Sequence, residues 1–360
     1  MTEETAHAAV DLALQLYKQQ KNDNSLGVVF FGGEPLLCHD VIKSTIKYCK
    51  EVEKKTDQLF HYKITTNGYL LEESFLTDPL TSEIFVALSH DGVQPAHDTH
   101  RINASGQGTF TELQPVMDIL LRHKPYAPVM LVTTPETIEW YAESVKYLFS
   151  RGFRYLICSL NYSGAWTEST LKELEAQYHL LFRWYEYQTE QEEKFYFSPF
   201  DVKISSHIYP GSCRQERCEL GQKQVSIAPT GLIFPCVQFV GNGEDSEWCI
   251  GDVKNGINET RRESLYRKND TEKETCFKCA IRERCNHFCG CLNKQATGTI
   301  YDVSPVLCAH EQMTIRIADR LAEKLFRKKN PMFVQKYYNE LFPLVSLTED
   351  HKTKQGLKRS

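Results

Sequence analysis

Between Cys213 and Cys308 the chain concentrates most of its thirteen cysteines. Cys213 and Cys218 come first. Cys236 follows, inside Gly231-Leu232-Ile233-Phe234-Pro235-Cys236. A dense run then holds Cys276, Cys279, Cys285, Cys289 and Cys291, and Cys308 closes the set. Thiols packed this closely are cross-linked, metal-bound or reactive, because each alternative asks for convergent sulfur atoms. An odd total and uneven spacing count against a disulfide framework. Soft thiolates select zinc or iron–sulfur clusters. Zinc sites usually present paired C-x2-C knuckles, and this stretch has one such pair, Cys276 and Cys279.

The other bounds are ordinary. With 360 residues, 41% hydrophobic and 25% charged, the chain is long enough for one large or two medium domains. A net charge of −5 gives no electrostatic reason to expect nucleic acid. The basic run Lys352 to Arg359 reads as a solvated end. No apolar run of membrane length and no positive-then-apolar leader is found, so no membrane partner and a cytoplasmic location are expected, where thiols stay reduced.

Ahead of the cysteines, strand and helix patterns alternate. A helix is expected over 2–20, with Val10, Ala13, Leu14 and Tyr17 inward. Gly27 to Phe31 reads as a buried parallel strand ending in Gly32-Gly33-Glu34-Pro35. A helix near 38–55 follows, then a strand at 61–66 ending in Thr66-Asn67-Gly68 and a short helix in the seventies. A strand at 84–89 ends in Ser89-His90-Asp91-Gly92. Helices near 110–123 and 137–151 flank a strand at 128–133. A strand at 154–160 and a helix at 168–190 complete the series. Such alternation means parallel strands joined by crossover helices, as an open doubly wound sheet or as a β/α barrel. In both, ligands sit at the C-terminal strand ends, where these Gly-, Ser-, Asn- and Asp-rich corners fall. A hairpin across Val225–Ile227 and Leu232–Phe234, a helix at 309–328 and a disordered tail from about 346 are expected beyond residue 200.

The full cysteine spacing runs C-x12-G-x4-C, a gap, C-x2-C-x5-C-x3-C, a gap, and C, from Cys218 to Cys308. It resembles the seven-cysteine SPASM domain appended to radical S-adenosylmethionine (AdoMet) enzymes. Gly32-Gly33-Glu34-Pro35 resembles that family's GGEP motif, and Ser89-His90-Asp91-Gly92 through His97-Asp98 to Arg101 resembles its S-x-D-G…H-D…R segment. The resemblance implies an α/β fold, with an incomplete (β/α)6 barrel lacking its first strand over 1–165 and a bridging helix and linker over 166–205. A SPASM domain over 206–310, a C-terminal helical segment over 311–345 and the tail 346–360 would follow. It also implies two auxiliary [4Fe-4S] clusters, one on Cys213, Cys218, Cys236 and Cys289, the other on Cys276, Cys279, Cys285 and Cys308. Gly32, Gly33, Glu34, Ser89 and Arg101 match the cofactor-binding positions. The two glycines would let backbone carbonyls approach the methionine ammonium, and Arg101 would fork its carboxylate. Cys291 falls outside the pattern as a packed or spare thiol, the alternative being that it substitutes for Cys289, and Cys249 is unassigned. Cys38, Cys49 and Cys158 read as core residues, His90, His97 and His100 as structural or solvated, and Asp91 as a turn or cap residue.

One departure is plain. The family's radical chemistry uses a C-x3-C-x2-C segment at the end of its first barrel strand, and this sequence contains none. Its cysteines before Cys158 are Cys38 and Cys49. The expectation is therefore an N-terminally truncated member, inactive by itself, whose full-length form modifies a ribosomally made peptide or a protein side chain. A reductant such as flavodoxin or ferredoxin would serve it. Two alternatives are a sulfatase-maturating, formylglycine-forming enzyme and an inactive iron–sulfur protein that binds a peptide or partner chain. In the sulfatase branch an aspartate follows the cysteine matching Cys236; Val237 stands there, which favours the peptide maturase.

Overall fold

The computed structural model describes residues 1–18, 25–211, 217–241 and 247–357, with side chains to 350. Its first half is built on one sheet of six parallel strands in chain order: β1 (Ser25–Phe30), β2 (Leu59–Thr66), β3 (Phe85–Ser89), β4 (Pro128–Thr133), β5 (Tyr155–Leu160) and β6 (Tyr196–Phe197). The sheet is open, with β1 at one edge and β6 at the other. Helices α1 (Glu3–Lys18), α2 (His39–Glu53), α3 (Glu73–Thr77), α4 (Gln94–His100), α5 (Phe110–His123), α6 (Tyr141–Ser150), α7 (Glu168–Glu190) and α8 (Ser198–Ile208) accompany it.

β2 alternates strictly, with Phe60, Tyr62, Ile64 and Thr66 buried and Leu59, His61 and Lys63 exposed. Ile64, Leu88, Val129 and Leu156 anchor the main core, each without accessible surface. The opposite face is open. The register aligns Val29 with Lys63 and Lys63 with Phe85, so these three share it. Val29 is 57% exposed and Phe85 46%. The expected fully buried strand is thus a one-faced strand: helices cover one side of the sheet, and the other is left free for something else.

β6 and α8 fall where a bridging helix and linker were expected. Two residues are too short to show a strand period, yet Tyr196 and Phe197 pair with Tyr155 and Leu156. α4 was likewise not expected; Pro95 at its start and the motif residues within it masked the short helix.

A second, smaller sheet is antiparallel, in the order β10-β9-β8-β7, from β7 (Ser226–Ile227), β8 (Leu232–Phe234), β9 (Gly251–Asp252) and β10 (Gly256–Ile257). The expected hairpin is β7–β8, with Ser226 opposite Phe234. Ile233, Phe234 and Ile250 centre a second core. Leu12 of α1 is buried in that core and Leu16 packs on it, whereas Val10 and Leu14 join the first. The first helix is therefore apolar on two faces, because it is wedged between two cores.

α9 (Glu259–Asp270), α10 (Gly290–Thr297), α11 (Pro305–Arg327), α12 (Pro331–Tyr338) and α13 (Phe342–Leu357) follow. α11 starts on a Ser304 cap and packs on α7 and α8. The stretch from 346, expected to be disordered, is helical as far as Leu357. Its Glu349 and Asp350 accept from Lys194 at 2.9 and 3.1 Å, and Asp350 also from Tyr126. No helix among the described residues is long and apolar enough to cross a membrane.

Candidate functional site

Parallel strands put all their C-terminal ends on one rim, and the motif residues gather there. Gly32 and Gly33 follow β1 and are exposed, and a Cβ built on either meets no atom within 4 Å. Gly32 sits at φ 149°, a conformation that L side chains rarely adopt. Glu34 does more than add charge. One oxygen accepts from the Leu36 N–H at 3.0 Å and the Thr66 hydroxyl at 2.8 Å, the other from the Asn67 N–H at 2.8 Å. It caps the turn after β1 and ties it to the end of β2.

Ser89 ends β3 on the open face, in register with Met130. Arg101 is held differently from expectation. Its Nε and Nη2 fork the Asp91 carboxylate at 2.6 and 3.0 Å, and Asp91 also accepts from the Val132 N–H at 2.9 Å. Asp91 therefore links the corner after β3 to β4 as a buried anchor. Gly92 is obligatory beside it, since a Cβ there would lie 2.0 Å from that of Ser144. His90 and His97 are fully buried. The Nδ1 atoms of His90 and His97 accept from the Gly92 and Asp91 N–H groups, and His97 also bonds Thr109. Burial holds the His90 imidazole down at about 2 and the His97 imidazole at about 4, so both are neutral and structural.

The cysteines fall into two neighbourhoods. Cys218, Cys236 and Cys289 lie close enough to feel one another's charge, which with burial pushes the Cys218 thiol up to about 11. Cys276 is near Cys279 and Cys308, and Cys285 is near Cys308. Cys213, expected in the first set, lies outside the described residues. Cys289 stands at the residue before α10, and Cys236 at the residue before the turn Val237–Phe239. Backbone N–H groups of Cys291 and Leu292 face the Cys289 sulfur, those of Val237 and Gln238 the Cys236 sulfur, and that of His287 the Cys285 sulfur. Donors aimed at sulfur favour the thiolate, which is the ligand form. The Cys291 side chain, its Sγ 3.3 Å from that of Cys289, is the main reason that the Cys236 thiol is lowered to about 6 and the Cys289 thiol is lowered as well. Among the described residues no three His, Cys, Asp or Glu side chains converge tightly enough for a single metal ion. The donor set is all cysteine, which suits an iron–sulfur cluster or zinc.

Of the thiols outside these groups, Cys38 is exposed on the turn after β1 and is not the core residue expected, because its short helical turn leaves it facing outward. Burial pushes Cys49 and Cys158 up to about 12, and Cys249 donates to the Gly251 carbonyl at 3.2 Å. Two features were missed in the sequence. His310 is buried between the hydroxyls of Tyr162 and Tyr178, each 2.7 Å from one ring nitrogen. It joins the corner after β5 to the helix that carries Cys308. Lys203 of α8 pairs with Glu311 of α11 at 2.7 Å, and Glu311 also faces the Asn286 N–H at 3.3 Å. The one available signal was their spacing on the buried stripes: His310 and Glu311 fall three or four residues from Leu307 and Thr314, and Lys203 falls three from Phe200.

No family model matches the chain. It is 28% identical over 128 residues to a cysteine-type anaerobic sulfatase-maturating enzyme of Clostridium novyi, which covers 35% of this chain and 34% of the relative. The matched region thus spans about a third of that enzyme's length. It is 22% identical over 319 residues to the radical SAM cyclopropyl synthase TigE of Paramaledivibacter caminithermalis, covering 85% and 63%. In fold it is similar to native anSMEcpe solved with bound AdoMet and the Cp18Cys peptide, with a TM-score of 0.75, 17% identity and 91% of each chain covered. In its relatives and in its fold, the chain is radical SAM/SPASM-like.

Proposed function

We propose that this chain binds AdoMet and auxiliary clusters in the manner of a maturase that modifies a ribosomally made peptide or a protein side chain. The observation that carries the reading is the gathering of the cysteines into two thiol neighbourhoods beside a rim of strand-end motifs. Cys213, Cys218, Cys236 and Cys289 would hold one [4Fe-4S] cluster, and Cys276, Cys279, Cys285 and Cys308 the other. The clusters supply electron-transfer capacity when bound. Gly32 and Gly33 leave the approach to the β1 end open for the methionine part of AdoMet, and Glu34 holds that turn in place. Ser89 would meet a hydroxyl or carboxylate of the same ligand. Arg101 would release or share Asp91 to meet the carboxylate. The exposed face bearing Val29, Lys63 and Phe85 is where a peptide would lie. A flavodoxin or ferredoxin would deliver electrons.

The sulfatase-maturing alternative is favoured by the C. novyi relative and by the fold of anSMEcpe. The residue after Cys236 favours a different peptide target. Because the 360 residues include no C-x3-C-x2-C segment, we infer that this polypeptide alone does not cleave AdoMet.

Anaerobic reconstitution tests the reading. About eight irons and as many labile sulfides per chain are expected, from two four-iron clusters. Zinc without sulfide would sink it. Release of 5′-deoxyadenosine by the reduced 360-residue protein would overturn the inference that it is inactive alone.

A further inference from the structure

Cys291 belongs to neither ligand set, yet its sulfur lies among one of them. Its Sγ is 3.3 Å from that of Cys289, and Cys236 is a near neighbour. Its position is built rather than accidental. Cys291 is the second residue of α10, directly after Cys289 and Gly290. A Cβ on Gly290 would lie 2.4 Å from the Asn269 side chain, so this turn is pressed against α9. Asn293, fully buried, donates to the His287 carbonyl at 2.9 Å and bonds the Cys289 carbonyl through its own N–H.

We propose that Cys291 is a hydrogen-bond donor to the first auxiliary cluster, through the ligand sulfur of Cys289. The proposal rests on the cluster reading given above. Sulfur ligands on iron are thiolates and can only accept. A further sulfur in contact with such an acceptor is held as the donor, because a second thiolate there would face a like charge. Hydrogen bonds to ligand sulfurs draw off charge, favour the reduced cluster and raise its potential. Cys291 would thus set how readily this cluster takes an electron, while the cluster held by Cys276, Cys279, Cys285 and Cys308 keeps its own potential.

The experiment compares the reconstituted full chain with Cys291→Ala and Cys291→Ser by iron and sulfide content and by EPR-monitored potentiometric titration. All three proteins are expected to hold the same iron. One of the two potentials should move to a more negative value in Cys291→Ala and recover in part in Cys291→Ser, which keeps an O–H donor. The other potential should stay where it is. Loss of about four irons from Cys291→Ala would make Cys291 a ligand and overturn the proposal. So would two unmoved potentials in fully loaded protein. An unsubstituted chain that takes up no iron and sulfide would instead bring down the cluster reading itself.

Discussion

Glu34 works before any ligand arrives. Its carboxylate receives three donors from two strand ends. Replacing it by Gln turns an amide NH2 toward at least one of those donors. Glu34→Gln should cost about 1–3 kcal/mol in chemical unfolding, the range for a charged acceptor lost from backbone donors. Gly33 offers the complementary test. A side chain there enters open space, so Gly33→Val should leave stability within about 0.5 kcal/mol. It should nevertheless weaken AdoMet binding in equilibrium dialysis by about tenfold or more, since backbone approach is lost. Unchanged binding would move the cofactor elsewhere. His90 and His97 give a pH dependence. Their folded values, about 2 and 4, lie below the ordinary imidazole value near 6.5. The unfolded chain then takes up protons that the native state refuses. The stability these residues contribute is complete above about pH 6.5 and drains away as the pH falls toward 4, by up to about 1.4 kcal/mol per pH unit for each histidine. His97→Gln should flatten the acid side of a stability-against-pH curve, and an unaltered slope would count against a buried neutral ring.

Among the elements, α8 and α11 are pinned by one buried ion pair, Lys203 with Glu311. Side-chain exposures of 6% and 3% leave little water to rescue a widowed charge. Glu311→Gln should therefore cost about 3–5 kcal/mol in denaturant titration, and pairing it with Lys203→Met should restore much of the loss. Neither partner was legible in the sequence, because a charged residue within a helix pattern normally reads as solvated. The longer elements were legible. α5 and α7 carry strong apolar stripes, β4 is a clean apolar run, and their bounds coincide with expectation. β6 was invisible because two residues carry no period, and its place in the sheet is set by pairing with β5. The tail was misjudged for a related reason. The composition of α13 signals no core, and its order comes from contacts with Lys194 and Tyr126, more than 150 residues earlier. At the site, the division of the thiols into two sets came from the family resemblance, because the two sets interleave along the chain and local spacing does not separate them. The resemblance did not show that Asp91 engages Arg101 or that Cys291 touches Cys289, since both depend on side-chain direction at corners.

At the scale of the molecule, the parallel sheet and the cysteine-rich half are fastened twice. His310, Lys203–Glu311 and the paired contacts of Arg284 with Asp319 (2.8 Å at Nη1) hold them at α11. α1 holds them at the other side through Leu12 and Leu16. Truncation of Leu12 to Ala should cost about 2–4 kcal/mol, and it should loosen the cysteine-rich half although the residue belongs to the first helix. Hydrogen exchange in β7 to β10 would report it. The same wedge imposes an order in time. The partners of Leu12 begin at Leu220, so during synthesis at about 5–20 residues per second the ribosome needs on the order of ten seconds or more to deliver them. Throughout that interval one apolar side of α1 has nothing to lie against. A nascent chain stalled before residue 220 should accordingly be nicked in α1 by protease and bound there by a holding chaperone, and a chain stalled past residue 300 should resist both.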